Sequence, residues 1–152
     1  MALMQSKVEH GFDALLELES GETANTTVGD NPSENVFDLQ ALTAAYWDSN
    51  ELGCNEEFAI QINVTACDAG DGDETYVFEV EVDSQDDFGD SPVVVCFYTH
   101  TRGVTGQFEI LVAREQIEAL DPDAAFLRLN VATGSSTTPS ITYQAFVAPV
   151  RN

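Results

Sequence analysis

The sequence predicts an all-β protein, an eight-stranded jelly-roll or Greek-key sandwich with one short helix near 114–120. Three observations predict it. Apolar and polar residues alternate with period two in segment after segment, as half-buried strands require. Polar stretches rich in Gly, Asp, Ser and Pro separate those segments. Clear helical periodicity is confined to one short stretch, which leaves a sandwich or a barrel.

Taken in order, the first candidate strands are Ala14–Glu19 and Asn35–Leu39, with Ser20–Ser33 loose and polar enough for a long loop. Gln40–Trp47 is a weak helical segment, and its Tyr46-Trp47 pair is read as core. Phe58-Ala-Ile60-Gln-Ile62-Asn-Val64-Thr alternates cleanly, as does Tyr76-Val-Phe78-Glu-Val80-Glu-Val82-Asp, which places Glu79, Glu81 and Asp83 on a solvent face. Asp68-Ala-Gly-Asp-Gly-Asp between these two reads as a hairpin loop. Pro92–Tyr98 is apolar at every position, so that strand is expected to be covered on both faces. Gly103-Val-Thr-Gly106 is a turn leading to Phe108–Val112. Arg114–Leu120 is the helix, stopped at Asp121-Pro122 because a residue before proline is pushed out of the helical region. Leu127–Val131 and Ile141–Val147 complete the set, parted by Gly134–Pro139. The expected core includes Phe58, Ile60, Phe78, Val80, Ile110, Leu129 and Tyr143. A long excursion between the first two strands and a crossover near 114–122 favour the jelly-roll path over a meander. The expected organisation is an N-terminal arm, 1–12, and one domain, 13–152.

Charge is distributed unevenly. Up to Tyr98 there are 22 acids and one base, Lys7, for a formal charge of −21. The remaining 54 residues hold five acids and four arginines. Phosphate backbones and anionic lipid are bound mainly by Lys and Arg, so neither nucleic acid nor a membrane surface is an expected partner. Neutral or basic protein surfaces and divalent cations are. The first residues contain no apolar run of the kind a signal peptide or membrane span needs. Cys54, Cys67 and Cys96 are odd in number and fit no disulfide or zinc spacing, so they read as structural thiols of a reducing compartment.

Candidate chemistry is sparse. Only His10 and His100 are available as nitrogen bases, and no nucleophile elbow, Cys-x-x-Cys, zinc-protease or phosphate-loop pattern occurs. Paired carboxylates arise by chance among 27 acids, so no enzyme and no cofactor is expected. The best metal candidate is the glycine-rich loop bearing Asp68, Asp71 and Asp73, whose hard oxygens suit calcium although the spacing departs from the EF-hand pattern. The competing reading is a solvated loop tip.

The order of four stretches resembles the small jelly-roll capsid cement (head-decoration) proteins of tailed bacteriophages. They are Leu15-Leu-Glu-Leu-Glu-Ser20-Gly-Glu-Thr-Ala-Asn-Thr with Asn35-Val-Phe-Asp-Leu39; Val80-Glu-Val-Asp-Ser-Gln-Asp-Asp-Phe88-Gly-Asp-Ser-Pro92; Asp121-Pro-Asp-Ala-Ala-Phe-Leu-Arg128-Leu-Asn-Val; and Gly134–Val147. The resemblance spans roughly Phe12 to Val147, and the strongly acidic first two-thirds departs from the family pattern. It implies a virion protein without an active site, made in the bacterial host cytoplasm. Such a protein sits on the outer capsid surface as a homotrimer or dimer and braces neighbouring copies of the major capsid protein. In that setting Arg102, Arg114 and Arg128 become candidates for facing neighbours, since Arg is favoured in interface ion pairs, and the arm bearing Val8 and Phe12 for crossing a partner. The alternative is a jelly-roll carbohydrate- or calcium-binding module of a phage fibre or secreted protein.

Overall fold

The computed structural model describes residues 17–39, 57–89 and 91–149. The expected arm 1–12, with Val8, Phe12 and His10, lies outside the described residues, as do the weak helix at 40–47, Tyr46-Trp47 and Cys54. The described chain runs β1 (Glu17–Glu19), β2 (Gly29–Pro32), β3 (Phe37–Asp38), β4 (Glu57–Cys67), β5 (Thr75–Asp83), β6 (Val93–His100), β7 (Gly106–Ala113), α1 (Arg114–Leu120), β8 (Phe126–Gly134) and β9 (Ile141–Pro149). No helix among them is long and apolar enough to cross a membrane.

Two antiparallel sheets form a sandwich. The first has strand order β1-β9-β4-β7 and the second β2-β8-β5-β6, with β3 also on β8. Among the described strands only β5 and β6 are consecutive and paired with each other; β2 and β3 both stay on β8, and the other connections pass between sheets. That path is the jelly roll. It corrects the reading of the Asp68–Asp73 loop as a hairpin, because β4 and β5 belong to different sheets. Gly and Asp mark a chain reversal, but not the sheet to which the chain returns.

The inner faces carry the alternating residues. Phe58, Ile60, Ile62 and Val64 of β4 face Tyr76, Phe78, Val80 and Val82 of β5, closed by Leu127, Leu129, Val131, Ile141 and Tyr143. All seven expected core residues are buried. Phe78 sits at the middle, edge-to-face with Tyr143 at 5.1 Å and Phe108 at 5.3 Å between ring centroids. The helix is where the sequence puts it, with Ile117 buried and the Gln116 side chain accepting the Ala113 amide at 3.3 Å.

Three expectations need correction. The expected loop at 20–33 contains β2, whose Gly-Asp-Asn-Pro sequence has little strand propensity. It is held instead by Asn31, whose amide donates to the carbonyls of Thr27, Gly29 and Val131. The eight expected strands therefore become nine, since β2 and β3 both pair with β8. The apolar 92–98 strand is not covered on both faces. As β6 it is the last strand of its sheet, with Val94, Phe97 and Tyr98 exposed. Finally, Glu81 and Asp83 point outward as expected but are buried, because the chain after β5 folds back there, with Phe88 over Arg128 and the Gln85 amide on Asp83.

Candidate interaction surfaces

The sandwich has two outer faces of different character. Pairing across the second sheet sets the rows Pro32–Asn130–Glu79–Phe97 and Arg128–Glu81–Val94. Glu79, Glu81 and Asp83 thus run down the middle of this face. The Arg128 Nε donates to Glu81 Oε2 at 2.6 Å, and the Phe88 ring lies 4.3 Å from the guanidinium carbon. Phe88 holds a left-handed backbone (φ 53°) to reach that position. The Asn130 amide nitrogen donates to both Glu79 (3.0 Å) and Asp30 (3.2 Å). The acids of this face are therefore engaged by its own polar residues.

The first sheet presents different rows. Pairing aligns Ala148–Ala59–Leu111, then Phe146–Gln61–Glu109, then Gln144–Asn63–Gln107. The centre of this face carries amides, small residues and Phe146, with the acids Glu17, Glu57 and Glu109 at its margins. An uncharged centre inside a charged rim is the general anatomy of a protein interface. It stands out in a chain of formal charge −22.

The three candidate arginines do not form one patch. Arg102 is exposed on the β6–β7 turn and makes no ion pair among the described residues. Arg114 lies past the far end of β7, paired with Glu118 on its own helix at 2.5 Å. Arg128 is on the second sheet, paired as above. An eight-residue strand is roughly 27 Å long, so β7 keeps Arg102 and Arg114 well apart.

The calcium candidates do not converge either. Asp68 Oδ1 accepts the Gly70 amide at 2.9 Å. Asp73 accepts the Ser136 amide at 2.8 Å and the Ser135 hydroxyl, bonds that hold its carboxyl below the usual range. Asp71 accepts the Thr137 hydroxyl. Glu74, at the end of the same stretch, accepts the amides of Asp71 (2.6 Å) and Gly72 (2.9 Å). Asp71 and Asp73 tie the 68–74 loop to the 135–137 loop while Asp68 and Glu74 brace the loop itself, and no group of three metal-binding His, Cys, Asp or Glu side chains is found among the described residues. His100 is buried against Phe78 and Phe108, its Nε2 2.8 Å from the Val104 carbonyl. That is a packing role. Cys67 and Cys96 are free and half-buried, their thiols pushed up in pKa by desolvation.

Sequence reasoning missed one ionisable group, Glu19. A bulge between Glu17 and Glu19 turns its carboxyl inward, where it is 3% exposed and accepts the Glu34 amide at 3.1 Å. Burial, reinforced by the Glu34 charge, lifts its pKa to about 7. Period-two alternation carried no warning, because the bulge breaks the alternation. No protein-family model matches the chain, and no curated protein matches it in sequence.

Proposed function

We propose that the protein is a structural virion component, a cement that lies on the outer face of a phage capsid and links neighbouring major capsid subunits. The observation that carries this reading is the uncharged face of the first sheet, centred on Gln61, Asn63, Gln107, Gln144 and Phe146. A surface of this kind docks on another protein without burying unpaired carboxylates, whose desolvation is costly. The opposite face then looks outward, and the chain's formal charge of −22 keeps crowded particles apart.

The test is to strip or omit the protein from heads, heat them beside complete heads, and then add the purified chain back. Depleted heads should lose DNA at a lower temperature and regain resistance on rebinding. Gln61→Glu with Asn63→Asp should abolish rebinding, whereas Val77→Glu on the other face should not. Equal heat resistance of depleted and complete heads would remove the cementing role.

A second reading keeps one observation in its favour. Gln61, Asn63 and Gln107 on the same face offer paired donors and acceptors, a combination that also suits a sugar. Retention on a glycan array, lost with the same face substitutions, would transfer the proposal to a carbohydrate-binding module.

A further inference from the structure

The sandwich has four edge strands, and three of them carry devices that block strand addition. β1 is three residues long and bulged. The opposite edge is split into β2 and β3 and carries Pro32, Asp30 and Asp38. β7 displays Glu109 and begins at Gly106 with φ 139°. Short strands, proline, charge and irregular backbone all discourage edge-to-edge pairing. β6 differs. Its eight residues include no proline and no Lys, Arg, Asp or Glu, and among the described residues it pairs only with β5. Its one irregularity is a bulge near Val94, which leaves Cys96–His100 in regular register.

Val94, Phe97, Tyr98 and Thr99 are the exposed side chains of this edge, and none of them is charged. Phe97 is 68% exposed and Tyr98 42%. The sequence between Asp90 and Glu109 contains no acid, and Arg102 is its one charged residue. Two copies of a chain with formal charge −22 repel each other over most of their surface, and this edge lets them approach without bringing carboxylates together. A basic partner would be drawn to the many acids elsewhere on the chain and not to this edge.

From the open backbone edge, the exposed Phe97 and the missing acids, we propose that β6 is a self-association edge. A second copy of this chain pairs with it antiparallel about a twofold axis, so the second sheet continues from one copy into the next. The isologous geometry follows because one uncharged strand is its own complement, and a twofold axis closes the assembly at two copies instead of extending it. Phe97 of each copy then packs across the axis on the outer face. The inference does not depend on the capsid reading, and it selects the dimer over the trimer.

The experiment is sedimentation of the full chain across a concentration series, with Phe97→Asp and Leu111→Asp compared. Leu111 is similarly exposed (53%) but lies on β7 of the other sheet. The expected result is a wild-type particle of twice 16.5 kDa, a Phe97→Asp dissociation constant weakened at least about tenfold, and an unaltered Leu111→Asp. Raising salt should tighten the association, since screening relieves repulsion between acidic copies. If Phe97→Asp fails to fold, amide exchange of wild-type residues 96–100 replaces it, with protection expected to rise from dilute to concentrated solution. A monomer at every concentration, a trimer, a dimer that is indifferent to Phe97→Asp, or exchange at 96–100 independent of concentration overturns the proposal.

Discussion

Tyr98 and Phe108 pack with ring centroids 4.5 Å apart and planes tilted by 33°, although they belong to different sheets. Tyr98 stands on the last strand of one sheet and Phe108 on the last strand of the other, so the pair bridges the open side of the sandwich beside β6 and β7. Behind them Phe78 and His100 continue the aromatic cluster inward. The edge proposed for self-association is therefore backed by rigid packing and not by a loose loop.

Phe78 is the centre of that cluster and is fully buried. Phe78→Ala should destabilise the fold by about 3–5 kcal/mol, through lost burial and the cavity left between the sheets. Urea denaturation of the two proteins measures it. A loss below about 1 kcal/mol would mean the core closes around the deletion, contrary to the packing described.

Glu19 should make stability fall with rising pH. Its folded pKa, about 7, lies above the ordinary 4.5, so the folded protein holds a proton that the unfolded chain releases. The carboxyl carries no penalty below pH 4.5, and the penalty grows as pH rises through 4.5 towards 7. Glu19→Gln keeps an acceptor for the Glu34 amide and removes the charge. It should stabilise by about 1–2 kcal/mol above pH 7, allowing for solvent screening, and change little below pH 4.5. Thermal melts of both proteins across that range check the sign.

Arg128 neutralises the buried Glu81. Arg128→Met should cost about 2–4 kcal/mol, because an uncompensated carboxylate stays under Phe88. Replacing Glu81 by Met as well should recover most of that loss, since two apolar side chains can fill the same space. A double variant no more stable than the single one would show that the pair matters through packing of the 84–91 loop rather than through charge.

The loop carboxylates Asp68, Asp71 and Asp73 already accept hydrogen bonds from neighbouring amides and hydroxyls. Millimolar calcium should leave the melting temperature unchanged relative to a chelator, whereas Asp73→Ala, which frees the 135–137 loop, should lower it. A calcium-dependent rise in melting temperature would favour the ligand-binding module over the virion component.

Strand positions were legible because alternation is a local property: Phe58 to Val64 and Tyr76 to Val82 declare their faces in the sequence itself. Properties set by distant chain were not. Whether Val93–Tyr98 lies inside a sheet or at its edge depends on which strands arrive beside it, and its composition is the same either way. β2 was hidden because Asn31 supplies through its side chain what propensity does not. The arginines were visible as residues but not as places, since Arg128 meets Glu81 across 47 positions of sequence. The uncharged face of the first sheet was likewise invisible, because its rows join β4, β7 and β9.

The strand order also sets a timetable for synthesis. β8 lies inside the second sheet and β9 inside the first, yet they are the last two strands made. Asn31 must wait for Val131, a hundred residues later, before its amide can bind β2 to β8. At roughly 5–20 residues per second, the earlier strands wait several seconds with both sheets incomplete. Such non-local pairing slows folding, and an apolar edge like β6 is exposed throughout. The burden of keeping the chain from aggregating thus falls on its unfolded state, where the early run of acids keeps nascent copies apart until the last strand emerges.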